Sequence, residues 1–131
     1  CLNNNPEDVK KFLKKNKGKK IVWAYKHLLV SLWTERPHCI SPFIRKIVNL
    51  GWYKGNSSRK SYSLKTEDIY RGIHVYTTHP NIEEDSYRVV IKVKCYIKDL
   101  IGVDYVNGEA AFHKIYIPKT KKTKKYLSER N

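Results

Sequence analysis

Residues 20–33, KIVWAYKHLLVSLW, decide how the chain is read. Ile21, Tyr25, Leu28, Leu29 and Leu32 recur there at helical spacing, which predicts a helix apolar enough to pack at the centre of the fold. Upstream, Asn5 is a helix cap, Pro6 suits the first helical position, and Glu7 and Asp8 complement the helix dipole. Val9, Phe12 and Leu13 form the apolar stripe of that first helix, and Asn16 and Gly18 close it. Downstream, Pro37 interrupts and Ser41-Pro42 restarts a third helix. It has Phe43, Ile44, Ile47 and Val48 inside, Arg45 and Lys46 outside, and an end near Gly51.

After Gly51 the period changes. Residues 52–62 mix Gly, Asn, Ser, Lys and Arg with aromatics and read as an exposed loop or short hairpin. Ile73, Val75 and Thr77 alternate with His74, Tyr76 and Thr78, which predicts a strand. Residues 88–98 give the clearest strand: Val89, Ile91, Val93, Cys95 and Ile97 point one way, and Arg88, Lys92, Lys94, Tyr96 and Lys98 point the other. Asn107-Gly108 is a favoured hairpin turn, joining a strand over 101–106 to one over 109–117 before Pro118. The expected fold is therefore α+β, with two or three N-terminal helices packed on a mainly antiparallel, curved β-sheet. It forms one domain over 1–118, followed by a Lys-rich mobile tail over 119–131.

Charge points to a partner. The 131 residues carry 27 Lys and Arg against 12 Asp and Glu, a net charge of +15. Residues 1–60 hold 14 basic and 3 acidic side chains, whereas 61–118 are close to neutral and the tail is basic again. Self-repulsion on this scale is relieved by a polyanion: nucleic acid, an anionic membrane surface or an acidic protein. No apolar run is long enough to cross a bilayer, so no transmembrane span is expected.

The candidate nucleic-acid contacts are Lys10, Lys11, Lys14, Lys15, Lys17, Lys19 and Lys20, which crowd the first helix and its exit. To these the 52–62 segment adds Trp52, Tyr53, Lys54, Arg59, Lys60 and Tyr62. Cations meet phosphates without reading sequence, and aromatic faces stack on unpaired bases. The leading expectation is a nucleic-acid-binding domain with little sequence preference.

Two other classes stay open. His74, His79 and His113, with Lys114 adjacent, fall in or beside the predicted sheet and are the candidates for a small metal-independent RNase-like toxin. No glycine-rich phosphate loop, nucleophile elbow or metalloprotease helix motif is present, so an enzyme is the weaker reading. Cys1, Cys39 and Cys95 lack metal-ligand spacing, and no metal or cofactor is expected. Cys95 reads as a buried core thiol. Cys1 leads a sequence without Met and is a lipidation candidate, which would place the protein in the cell envelope. If Cys1 is only a fragment boundary, the expectation is cytoplasmic.

Two orders of elements resemble known families. From Cys39 to Val103, a helix, a Gly-Trp-Tyr-Lys turn at 51–54, a strand holding Gly72 to Tyr76 and a long strand from Arg88 resemble the RNA-associated ASCH branch of the PUA-like folds. That family's Gly-x-Lys-x-x-Glu-x-Arg signature is absent. Helices followed by a curved sheet, with the start Pro6-Glu7-Asp8-Val9-Lys10-Lys11-Phe12-Leu13, resemble exported NTF2-like lipoproteins, which would suit Cys1.

Overall fold

The computed structural model describes residues 2–31, 38–40, 47–48, 50–55, 61–84 and 88–126. In chain order its elements are β1 (Leu2–Asn4), α1 (Pro6–Lys15), β2 (Ile21–Ser31), β3 (His38–Ile40), β4 (Ile47–Val48) and β5 (Gly51–Lys54). There follow β6 (Glu67–Ile69), β7 (Ile73–Tyr76), β8 (Arg88–Tyr96), a 3-10 turn (Ile97–Asp99), β9 (Leu100–Asp104), β10 (Glu109–Phe112), β11 (Lys114–Ile117) and α2 (Lys121–Tyr126). Every strand pair is antiparallel.

The organising unit is a ribbon folded at its waist. β8 passes through the 3-10 turn into β9, the chain turns at 105–108, and β10 returns past His113 into β11. Asp104 holds the turn by accepting from the Asn107 N–H at 3.2 Å and from Asn107 Nδ2 at 2.8 Å, and Gly108 takes φ 66°. At the waist, the His113 N–H donates to the Asp99 carbonyl and the His113 carbonyl accepts from the Gly55 N–H, both at 2.8 Å. The strand expected over 109–117 is thus two strands in different neighbourhoods. β10 lies between β7 and β9, and β11 lies between β5 and β8. A bend of this kind is how a strand passes from one wall of a β structure to another.

The remaining strands close the structure. β2 pairs with β8 over nine residues, from Ile21 opposite Tyr96 to Leu29 opposite Arg88. β2 also meets β7 at Tyr25 opposite Tyr76. β2 flanks the ribbon on one side and β7 on the other, so that contact requires the ribbon to curl into a barrel-like sheet. Its order is β5-β11-β8-β2-β7-β10-β9. The concave side holds the core: Ala24, Leu28, Ile91, Val93, Val75 and Phe112 are all buried. α1 covers it with Val9 and Phe12, and Phe12 meets Phe112 edge-on at 6.3 Å between ring centres.

α1 begins as expected. The Asn5 side chain accepts from the Glu7 N–H at 2.9 Å and Pro6 opens the helix. Asp8, also buried, accepts from the Tyr105 N–H at 2.9 Å, tying the helix to the end of β9.

The fold-class expectation is corrected here. Residues 21–31 are a strand, and the third expected helix is replaced at its described positions by β4 and β5, while 41–46 and 49 lie outside the described residues. Among the described residues the two or three N-terminal helices give way to one, α1, beside a predominantly antiparallel sheet. The physical reason is Lys26. Ala24, Lys26 and Leu28 face inward and Trp23, Tyr25 and His27 face outward, so the period is two; a lysine at an inward position disguises it. Apolar residues on both faces then imitate a helical stripe. The β-branched and aromatic residues Ile21, Val22, Trp23 and Tyr25 were the better signal. Residues 52–54, expected as the start of an exposed loop or short hairpin, belong to an edge strand, Gly51–Lys54, paired with β11. No helix among the described residues is long and apolar enough to cross a membrane.

Candidate nucleic-acid interface

The convex side of the sheet differs between its two halves. Over β7, β10 and β9 it is covered by β1 and β6, with Leu2, Ile69, Ile101 and Ala111 forming a second apolar cluster. Asn4 is the polar pin of that layer. Its Oδ1 accepts from the Val103 N–H at 2.9 Å and its Nδ2 donates to the Ser63 and Lys65 carbonyls. Gly102 makes the close approach possible, since a Cβ there would lie 2.5 Å from Ile69 Cδ1 and 2.6 Å from Asn4 Oδ1.

Over β5, β11, β8 and β2 the convex side carries aromatics and lysines. One row runs straight across four strands by direct pairing: Trp52 opposite Tyr116, Tyr116 opposite Lys94, and Lys94 opposite Trp23. Trp52 and Trp23 are 50% and 45% exposed, large values for indoles on a sheet. Lys54 and Lys114 face each other in a neighbouring register position, and Tyr25 faces Lys92. Three strand spacings separate the two indoles, about 14 Å.

The rings order one another and the ammonium groups. Trp52 stacks on Tyr96 at 5.3 Å with 29° between planes and meets Tyr116 edge-on at the same distance. Lys114 Nζ lies 4.9 Å from the Trp52 ring centre, Lys92 and Lys94 lie 5.3 and 5.5 Å from Trp23, and Lys98 lies 5.9 Å from Tyr96. Each such contact contributes about 0.5–1 kcal/mol at an exposed site and leaves the positive charge un-neutralised. The ion pairs among the described residues are elsewhere, Lys10 with Glu7 and Lys122 with Glu84. The Lys54–Lys114 opposition is unfavourable by itself. An arriving anion relieves it.

Of the residues singled out in the sequence, Trp52, Lys54 and Lys114 meet on this face. Tyr53 instead points into the core at 5% exposure. Lys20 borders the face, because its carbonyl accepts from the Ile97 N–H beside Tyr96. Lys17 and Lys19 lie on the link from α1 to β2, and Lys10, Lys11, Lys14 and Lys15 are exposed on α1, which packs on the concave side. Tyr62 belongs to the segment beside the covered half, where the Ser63 N–H donates to the Ile101 carbonyl. Cys1, Arg59 and Lys60 lie outside the described residues.

The histidines have separate environments. His74 is 9% exposed, and burial with the nearby Lys26 charge pushes its pKa down to about 4. His79 is exposed, packs edge-on against Tyr25 at 5.1 Å and has Nδ1 2.9 Å from the Pro80 carbonyl. His113 stands at the waist of the ribbon. Among the described residues no cluster of three metal-binding side chains exists. Cys95 is fully buried, and burial raises its thiol pKa.

Trp23, Tyr25, Lys92, Lys94, Tyr96, Lys98 and Tyr116 were missing from the sequence-derived contacts. The outward Lys92, Lys94 and Tyr96 were visible as one wet face of a strand. Trp23 and Tyr25 join them only once residues 21–31 are a strand. No protein-family model, curated protein or solved structure matches the chain.

Proposed function

We propose that the protein binds single-stranded or locally unpaired nucleic acid, with little sequence preference, on the convex face of β5, β11, β8 and β2. The observation that carries this reading is the uncovered row Trp52, Tyr116, Lys94, Trp23, flanked by lysines that have no carboxylate partner among the described residues. Bases stack on the indoles because every base has a π-face, and the lysines between them meet the phosphates. Nothing in this arrangement selects one base edge over another. A duplex keeps its bases stacked on each other and offers the indoles no partner.

Fluorescence anisotropy with a labelled single-stranded oligonucleotide at several salt concentrations tests the proposal. Three to five phosphate contacts give a log–log slope of about −2 to −3.5. Trp23→Ala and Trp52→Ala each weaken binding about fivefold or more, since a stacked base is worth about 1–3 kcal/mol. Salt-independent binding, or full affinity in the double variant, overturns the assignment. Anionic vesicles that outcompete the oligonucleotide would move the face to membrane contact instead.

A further inference from the structure

We infer that the cavity between the end of α1 and strands β2, β7 and β10 receives one base of the strand bound on the convex face, as a pocket for a flipped or terminal nucleotide. This rests on the nucleic-acid reading of that face and adds a site to it.

The cavity measures about 370 Å³, within the range of small-molecule sites. Its origin is visible in the side chains. Elsewhere the concave side is filled by Leu28, Ile91 and Val93, whereas here the lining has Ala24, Ala110 and Gly108. α1 stops at Lys15, so the helix brings only Phe12, Lys15 and its cap Asn16 to the opening.

The lining matches a nucleotide in three respects. Phe12, Phe112 and Tyr105 provide aromatic wall, suited to a planar ring. Thr77, Thr78 and Asn16 add hydroxyl and amide groups to the lining; the Thr77 hydroxyl already donates to the Gly108 carbonyl at 3.2 Å, which leaves its oxygen to accept. Asn16 Nδ2 is committed to the Phe12 carbonyl at 2.8 Å, so its Oδ1 is the amide atom left to a ligand. Lys15 also lines the cavity, and Lys17, Lys19 and Lys20 follow on the adjoining link, a concentration of charge suited to the phosphate that accompanies a base.

Continuity with the convex face selects the occupant. Trp23 lines this cavity and also carries the Lys92 and Lys94 ammonium groups. β2 and β7 pair at Tyr25 opposite Tyr76, and just beyond that pair Trp23, Thr77 and Thr78 line the cavity, so a strand that crosses the convex face from Trp52 to Trp23 reaches it at the seam between β2 and β7. An acyl chain would match the aromatic and alanine lining but not the hydroxyl, amide and ammonium groups beside it, and it serves as the contrasting probe.

Two measurements decide the matter. In the first, nucleoside 5′-monophosphates and, separately, octanoate are titrated into the unmodified protein while backbone amide shifts are followed. Saturable shifts of Asn16, Thr78 and Gly108 with the nucleotides, and none with octanoate, are expected. No shift at these amides, or a response to octanoate alone, overturns the inference. In the second, Ala110→Leu fills the cavity and weakens oligonucleotide binding about tenfold without altering its salt slope. Full affinity of Ala110→Leu alongside weakened Trp52→Ala removes the pocket and leaves the face; full affinity of both removes both. If Ala110→Leu does not fold, the amide titration on the unmodified protein is decisive by itself.

Discussion

The two halves of the convex sheet face obey opposite rules. Over β9 and β10 the outward positions include Gly102 and Ala111, and the space above them is taken by Leu2, Asn4 and Ile69. Over β8 and β11 the outward positions are Lys92, Lys94 and Tyr116, and the rings and cations organise only one another. Small residues mark where the chain covers itself, and large amphipathic ones mark where it leaves room for something else. Stability should depend on the first half and binding on the second.

Gly102→Val should break the covered half most severely, because its side chain enters space held by Ile69 and the hydrogen-bonded Asn4 amide. A loss of about 3 kcal/mol or more is expected, read as a lowered urea midpoint. Asn4→Ala is milder. It leaves the Val103 N–H and two carbonyls without their partner, a loss of about 2 kcal/mol in the same titration.

Lys26 sharpens the comparison from the seam between the halves. It is 4% exposed, donates to the His74 carbonyl at 2.9 Å, and burial pulls its pKa from 10.5 down to about 8, with Glu109 opposing. Between those values the unfolded chain binds more protons, so stability rises with pH, and the penalty for burying the charge is fully present below the lower one. The gain from pH 8 to 9.5 should be on the order of 1 kcal/mol. Burial raises the pKa of Tyr76 and of Tyr105, which favours the fold while they are neutral and works in the other direction as they ionise at higher pH, so the window ends there. Burial also holds the Cys95 thiol protonated, which works against the fold as the unfolded thiol ionises over the same range, so the test is a difference. Denaturant titrations should show the parent gaining on Lys26→Met by that amount between pH 8 and 9.5, and an unchanged difference would assign the effect to another group.

The smallest stability effect belongs to the uncovered half. Lys92, Lys94 and Lys114 changed together to Ala should shift the urea midpoint by less than the equivalent of about 1 kcal/mol, apart from lost ring contacts. The same variant should flatten the salt slope of oligonucleotide binding by about 2 units. A large loss of stability with an unchanged slope would mean that the face is structural.

The sequence disclosed α1 in full, because Asn5, Pro6 and the Val9–Phe12 spacing act locally. It also disclosed β8, whose alternation is nearly unbroken from Arg88. It concealed β2, where the decisive interaction is a nine-residue pairing with a strand far along the chain and where Lys26 faces inward. With β2 went the interface, since Trp23 reaches Lys94 only across that pairing. The charge of the N-terminal half was legible, but its distribution between the two sides of the sheet was not. His113, read as an ordinary strand position, marks a bend set by hydrogen bonds to Asp99 and Gly55.

The same long pairing has a consequence during synthesis. β2 leaves the ribosome well before β8, the strand that pairs with it from Ile21 to Leu29, and until then it has the short hairpin with β3 over Leu29–Ser31 and, once β7 emerges, the contact of Tyr25 with Tyr76. Roughly 60 further residues take about 3–12 s to translate, and for that time an 11-residue segment carrying Ile21, Val22, Trp23 and Leu28 stays without its main partner. Topologies dominated by such distant contacts fold slowly. An inward lysine in the middle of that waiting strand is the kind of residue that keeps it from pairing with another copy of itself, so the charge that disfavours the finished barrel protects the chain on its way there.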